Sequence, residues 1–483
     1  MQTNLPLHLI RGQCFVGGQW TTARDGTYFP VQDPATGQEI ALVSRAGRAE
    51  ALRAIRAADA ALGAWKQTPA RQRAAVLLAW ADLVGHELEP LARILTAEQG
   101  KPLAEARAEL GSTIAYLRWF AEEARRIDGQ ILQSPSSDQH YLVMREPVGV
   151  CAAITPWNFP SSMIARKVAP ALAAGCTMVL KPAEQTPLSA LALAVLAEQA
   201  GVPAGVFSVV AGDARAIGGQ MCASAAVRKL SFTGSTAVGR LLMAQCAPTL
   251  KRLSLELGGN APFIVFEGCD LDAAVSSAMA AKFRNTGQMC TCANRILVQD
   301  GVYDEFAQRL VAAVRQLRVG HGSDAQATQG PLIDGRAVAK VDELLADALA
   351  RGAQLLCGGG RHALGGNFYT PTVLGGCTPD MRLAREEIFG PVAPLYRFGT
   401  EQEALALAND TEYGLAAYFF TADMHQLPRV LGGLEYGMVG VNTHLVSNEA
   451  APFGGVKQSG LGREGAREGI GEYLETKFSN LQI

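Results

Sequence analysis

Apolar positions spaced three and four apart dominate the first quarter of the chain. Residues 49–66 (AEALRAIRAADAALGAWK), 70–95 and 103–126 carry this spacing and predict long amphipathic helices. Pro90 marks a break in the second of them. From residue 141 the pattern changes. Short apolar runs bounded by Gly and Pro (YLVMREPVGVCAAITPW, TMVLKP, GVFSVVAG, RKLSFTGS) alternate with helical stretches such as LSALALAVLAEQAGV. Strand–helix alternation predicts an α/β fold with a mostly parallel sheet. Ligands of such sheets bind at the carboxyl ends of the strands. A second α/β segment begins near 257, with APFIVF and RILVQ as strands and LDAAVSSAMAAKF and VYDEFAQRLVAAVRQL as helices. The last twenty residues end in a strand without a local partner, which predicts pairing with a distant segment or another subunit.

Length and composition narrow the class. A chain of 483 residues exceeds a single core and implies two or three domains. Its hydrophobic content is 48%, its charged content 18% and its formal net charge −2, so no basic field points to nucleic acid or an anionic membrane. No apolar run approaches the ~18–20 residues of a membrane span. The first twenty residues lack a basic stretch followed by an apolar one, so a cytoplasmic protein with a small-molecule partner is expected. Ten scattered cysteines do not form a secreted disulfide framework. The seven histidines show no ligand spacing and the CTC pair at 290–292 cannot close a four-ligand site, so no metal is expected.

Several segments could carry chemistry. GLGREG at 460–465 matches the spacing of a dinucleotide fingerprint, but GGVKQS precedes it where a strand is required, so it reads as a flexible loop. RKLSFTGSTAVGR fits a phosphate site better: a strand ends near Phe232, Gly234 permits a tight turn, and Ser235 or Thr236 can cap the following helix. Lys181 and Glu184 in KPAEQTP stand at a strand end, where they could hold ribose hydroxyls or form a solvated loop. In ITPWNFP, two prolines frame Trp157 and Asn158. The Asn158 amide suits an oxyanion hole and equally suits loop backbone. Glu256 in LSLELGGN lies in an apolar run, where a carboxyl is either a raised-pKa base or a paired structural group. Cys290 in FRNTGQMCTCANR is either a nucleophile or one more buried thiol.

The order of these segments narrows the alternatives. ITPWNFP, KPAEQTP, FTGSTAVG, LELGGN, GQMC, EEIFGPV and PFGGVKQSGLGREG together resemble the aldehyde dehydrogenase superfamily, from about residue 17 to the C-terminal strand. The resemblance implies Cys290 as nucleophile, Glu256 as general base, and Asn158 with the Cys290 backbone N–H as oxyanion donors. It implies that Trp157, Lys181, Glu184, Gly234, Ser235, Glu387 and Phe389 line the cofactor site. The implied reaction is attack of the Cys290 thiolate on an aldehyde, hydride transfer to a nicotinamide, and hydrolysis of the thioester by water activated at Glu256. NAD is expected over NADP, because the Glu184 carboxylate would repel a 2′-phosphate; Lys181 leaves NADP open. The implied architecture is a Rossmann-like cofactor domain (1–125 and 148–256), an α/β catalytic domain (257–455) and a small bridging β element (126–147 and 456–483) that supports a homodimer or homotetramer.

Within the superfamily the chain is most similar to succinate-semialdehyde dehydrogenases, whose substrate carries a carboxylate at its far end. Arg166, Arg284 and Ser447 occupy that subfamily's carboxylate-binding positions. His444 replaces a residue that is commonly small there, which leaves open glutarate semialdehyde, a keto- or hydroxy-acid semialdehyde, or a broader range of aldehydes. The similarity also implies that Cys292 can trap Cys290 as a labile disulfide. Glu256 argues against a CoA-acylating enzyme. The joint presence of Cys290, Glu256 and Asn158 argues against a non-catalytic scaffold.

Overall fold

A computed structural model describes residues 5–482. Four helices at Arg48–Gln67, Ala70–His86, Leu88–Gln99 and Leu103–Glu123 form the N-terminal layer. The break in the second predicted helix falls at Glu87, not at Pro90. Pro90 instead occupies the first turn of the next helix, where a missing N–H costs no intrahelical bond. That helix ends at Gly100, whose φ of 92° suits a residue without Cβ.

The first large sheet has eight strands in the order Gly460–Leu461, Arg252–Glu256, Val227–Thr233, Val150–Ile154, Thr177–Lys181, Phe207–Val209, Cys14–Val16 and Gln19–Thr21. Its five inner strands are parallel and its edges antiparallel. The chain leaves Val150–Ile154 toward one side and later returns as Val227–Thr233 on the other. The crevice between these two strands is therefore the switch point of a doubly wound sheet, where ligands collect. ITPWNFP, KPAEQTP, FTGST and LELGGN all emerge from carboxyl ends of this sheet.

The second sheet has seven strands, ordered Gln354–Cys357, Thr372–Gly375, Val392–Phe398, Ala293–Gln299, Ala261–Val265, Ala416–Phe420 and Met438–Val441, all parallel except the first. Each large sheet is buried between helices, and their strands read as continuous apolar runs. The fold is thus α/β with a Rossmann-like sheet and a second parallel sheet.

The C-terminal strand Leu474–Gln482 pairs antiparallel with Gln139–Pro147 in unbroken register, and Gln130–Leu132 completes a three-stranded sheet. Residues 456–483 are divided: 460–461 extend the first large sheet, and only 474–482 join the small one. Among the described residues no helix is long and apolar enough to cross a membrane.

Candidate active site

The segment after Val150–Ile154 is pinned at its start by the Thr155 N–H, which donates to the Lys181 carbonyl at 3.1 Å. Asn158 is buried, and its Nδ2 donates to the Gln288 carbonyl at 2.9 Å. That carbonyl lies two residues before Cys290, so the amide and the thiol are brought together from the two large sheets.

The Cys290 loop begins where helix Leu271–Phe283 stops. Asn285, Thr286 and Gly287 all take positive φ, 50°, 58° and 74°. Two of these are not glycine, and such strain persists only when surrounding groups hold it. Thr286 Oγ1 donates to the Gly330 carbonyl at 3.0 Å, and Gln288 Nε2 to the Asn285 carbonyl at 3.1 Å. At Gly287 a Cβ would fall 2.2 Å from the Gly390 carbonyl oxygen, so this turn also presses on the EEIFGPV segment.

Cys290 is half-buried. Burial pushes its thiol up to about 12; Glu387 and Glu256 act in the same direction and Arg166 opposes them. Glu256 is 3% exposed, and neither carboxylate oxygen has a hydrogen-bond partner among the described residues. Burial, then the nearby Glu464 carboxylate, holds its carboxyl well above the usual range. Glu464 is itself paired with the buried Lys167 ammonium, which also donates to Ser231 Oγ at 3.1 Å. Gly454 gives the Glu256 carboxylate room: a Cβ there would lie 2.9 Å from Glu256 Oε1.

Two cavities meet at Cys290. The first, of about 440 Å³, lies at the switch point and is lined by Trp157, Gly234, Ser235, Glu387 and Phe389 among others. Ser235 caps helix Thr236–Cys246, accepting the Val238 N–H at 3.5 Å. Gly234 is required by close approach, not by a positive φ: the Phe232 ring stands 2.5 Å from where a Cβ would sit. Glu387 takes the Gly259 N–H at 3.1 Å, and burial raises its carboxyl to about 7. Phe389 has φ 53° and meets Trp157 edge to face at 5.5 Å. Lys181 ends the neighbouring strand, and Glu184 beyond it accepts the Ala214 N–H at 3.2 Å; neither lines the cavity wall. A capped helix start, a glycine cradle and the Glu387 carboxylate suit a dinucleotide: exposed N–H groups for its phosphates and an acceptor for a ribose hydroxyl.

The second cavity, of about 350 Å³, opens on the other side of Cys290 and includes Arg166, Arg284, Ser447, Ser112 and Glu105. Arg166 is 5% exposed, and its Nη2 donates to Ser447 Oγ at 2.5 Å. Its Nε and Nη1 have no partner among the described residues. The guanidinium is stacked near Phe453 and Tyr116, at 4.3 and 4.8 Å from the ring centres. A buried cation with unspent donors fits an anion supplied by a ligand. Arg284 is exposed by comparison, with Nε on the Met289 sulfur at 3.2 Å. His444 is half-buried; burial and then Arg284 lower its pKa. Cys292 is buried, its thiol donating to the Lys282 carbonyl at 3.5 Å, and both it and Cys290 are free.

Comparison with known proteins agrees with this geometry. Residues 20–479 match the model of the aldehyde dehydrogenase family. The chain belongs to that family. A 3-sulfolactaldehyde dehydrogenase of Pseudomonas putida is 59% identical over 97% of each chain. A glutarate-semialdehyde dehydrogenase of Pseudomonas aeruginosa is 56% identical, also over 97% of each. The NADP(+) succinate-semialdehyde dehydrogenase of Escherichia coli K12 is 55% identical over 98% of each. The crystal structure of a succinate-semialdehyde dehydrogenase from Burkholderia pseudomallei superposes with a TM-score of 0.99, at 57% identity, covering 99% of this chain and 100% of that one.

As a member of the aldehyde dehydrogenase family the chain is an oxidoreductase that uses NAD(P) and a small-molecule aldehyde. Its structure also brings in residues that sequence reasoning passed over. Glu464 stands inside GLGREG, the glycine-rich segment read as a plain loop, and its buried pairing with Lys167 was not legible there. Tyr116 sits in a predicted helix, and only packing shows that it faces Arg166. Lys101 and Glu109 form a buried ion pair at 2.7 Å behind Asn158. An acidic residue every fourth position in LAEARAEL was the available signal, but it also describes a solvated helix face.

Proposed function

We propose that this enzyme oxidises a short aldehyde bearing an anionic group at its far end, with succinate semialdehyde as the first candidate. One observation carries the reading: Cys290 lines both cavities, and the cavity away from the cofactor side holds Arg166 with two buried, unpartnered donors. A neutral aliphatic tail would leave those donors unpaired, a penalty that discriminates strongly against it.

In this reading Cys290 attacks the aldehyde carbon after losing its proton, and Asn158 Nδ2 with the Cys290 N–H takes the charge on oxygen. A nicotinamide cofactor, when bound, supplies the hydride acceptor. Trp157, Gly234, Ser235, Glu387 and Phe389 hold it, with Lys181 and Glu184 at its adenosine end. Glu256, buried and unpartnered, accepts a proton from water as that water attacks the thioester, and the acid leaves. NAD is preferred over NADP in this proposal, on the ground that the Glu184 carboxylate would repel a 2′-phosphate.

The proposal extends to organisation. Residues 1–125 and 148–256 form the cofactor domain, 257–455 the catalytic domain, and 126–147 with 456–483 the bridging element. The exposed apolar side chains Ile131 and Phe478 on the small sheet, 80% and 56% exposed, support a homodimer or homotetramer built there. Ten free thiols suit a cytoplasmic location.

The deciding experiment measures initial rates of NADH and NADPH formation with succinate semialdehyde, glutarate semialdehyde, 3-sulfolactaldehyde and neutral aldehydes of matching length. An anionic substrate should exceed its neutral counterpart in kcat/KM by at least about tenfold, the effect of one charged hydrogen bond. Parity between them defeats the reading. The ranking among the three anions assigns chain length and head group, and the ratio of the two reduced cofactors assigns the cofactor.

A further inference from the structure

Behind the oxyanion donor lies a buried polar network that the reaction itself does not use. Lys101 is 1% exposed, and its Nζ makes two hydrogen bonds of 2.7 Å, one to Glu109 Oε2 and one to the Asn158 carbonyl. The other oxygen of Glu109 accepts the Ser161 and Ser162 N–H groups at 2.8 and 3.2 Å. The pair therefore holds the Asn158 loop at two points. A buried ion pair is poor value as a stabiliser, because desolvation of both charges offsets their attraction. Its worth here is geometric.

The same helix reaches the nucleophile loop. Glu105, one turn before Glu109, accepts the Asn285 N–H at 2.8 Å. Asn285 Nδ2 in turn contacts the Asn158 carbonyl at 3.1 Å and the Gln288 carbonyl at 3.2 Å. Gln288 O is also the acceptor of the Asn158 side-chain amide. The Asn158 carbonyl is thus fixed by Lys101 and Asn285 together, while its side chain is tied to the loop that ends at Cys290. Helix Leu103–Glu123 sets the separation of the two loops through carboxylates at positions 105 and 109.

We propose that Lys101, with Glu109, Glu105 and Asn285, is a positioning group that sets the two oxyanion donors, the Asn158 amide and the Cys290 N–H, at one fixed separation. It rests on the assignment of Asn158 and Cys290 made above. Displacing an oxyanion donor by about 1 Å costs on the order of 10²-fold in rate. Alkylation of a thiol by iodoacetamide develops no oxyanion, so it is indifferent to this spacing.

The test compares Lys101→Met and Asn285→Gly with the wild-type holoenzyme. Glycine accepts the left-handed backbone at 285, so the second variant removes the amide without straining the turn. For each, kcat and KM for the preferred aldehyde are measured with saturating cofactor, together with the rate of Cys290 alkylation by iodoacetamide. The expected result is kcat lowered about 100-fold, KM changed less than threefold, and alkylation within twofold of wild type. Wild-type kcat in both variants, or alkylation that falls in step with kcat, overturns the proposal. If Lys101→Met does not yield folded enzyme, Asn285→Gly decides by the same readouts. Asn158→Ala runs in parallel: no loss of kcat there defeats the oxyanion assignment itself, whereas a loss there with normal Lys101 and Asn285 variants defeats only the positioning role.

Discussion

Arg166 and Ser447 meet at 2.5 Å although 281 positions separate them, and both line the cavity beside Cys290. The contact occupies one guanidinium nitrogen and leaves two without a partner among the described residues, which on the proposed reading serve an anionic substrate. Arg166→Met should raise KM for succinate semialdehyde by about 10- to 100-fold, the range of a charged hydrogen bond. KM for a neutral aldehyde of the same length should move less than about threefold. Arg284→Ala should show the same selectivity at smaller amplitude, because Arg284 is exposed. Equal effects on both aldehydes would remove the arginines from substrate recognition.

Glu256 predicts a pH dependence with a definite sign. Burial and Glu464 raise its carboxyl well above the usual range, so it is protonated and inactive as a base at low pH. The carboxylate accumulates only as pH climbs through that raised value. Thioester hydrolysis should therefore accelerate as pH rises. Glu256→Gln should keep a stoichiometric burst of NADH and lose steady-state turnover by about 10²-fold or more, the usual worth of a general base. Rapid-mixing measurement of the burst beside kcat over pH 5–9 checks both; a variant without a burst would place Glu256 in an earlier step.

On the proposed reading, cofactor choice turns on Glu184. Its carboxylate accepts the Ala214 N–H at the start of a helix, close to the Lys181 ammonium. Glu184→Ser removes the negative charge and leaves the cation. The ratio of kcat/KM for NADP to that for NAD should rise at least about tenfold, as one unfavourable charge pair is deleted. An unchanged ratio would move the discrimination to another group.

Cys292 donates to the Lys282 carbonyl, so its thiol must turn before it can reach Cys290. Wild-type enzyme inactivated by a brief peroxide pulse should recover with dithiothreitol. In Cys292→Ala the recoverable fraction should fall by at least half, because Cys290 then oxidises beyond the reversible stage. The same recovery in both enzymes would exclude Cys292 as the partner.

The segments proposed to carry the chemistry were legible as short motifs: those of Asn158, Glu256 and Gly234 follow the carboxyl ends of strands, and that of Cys290 lies between a helix and the strand Ala293–Gln299. In such motifs a local pattern and a site coincide. Gly234 was read as permitting a tight turn; that turn needs no positive φ, and the close approach of the Phe232 ring to it is something no local pattern reveals. Lys101, Asn285, Lys167 and Glu464 were illegible for a different cause. Each meets a partner 57 to 297 positions away, and their types in isolation describe ordinary surface residues. Pro90 shows the same limit at short range, since whether a proline breaks a helix or starts one depends on where the preceding turn ends.

The pairing of Leu474–Gln482 with Gln139–Pro147 has a consequence for the life of the chain. A strand made early waits for one made more than three hundred residues later. While the ribosome is still short of residue 474, the 139–147 strand has an open edge. Until residues 474–482 are made, the nascent chain therefore carries that edge unpaired and open to pairing with another strand.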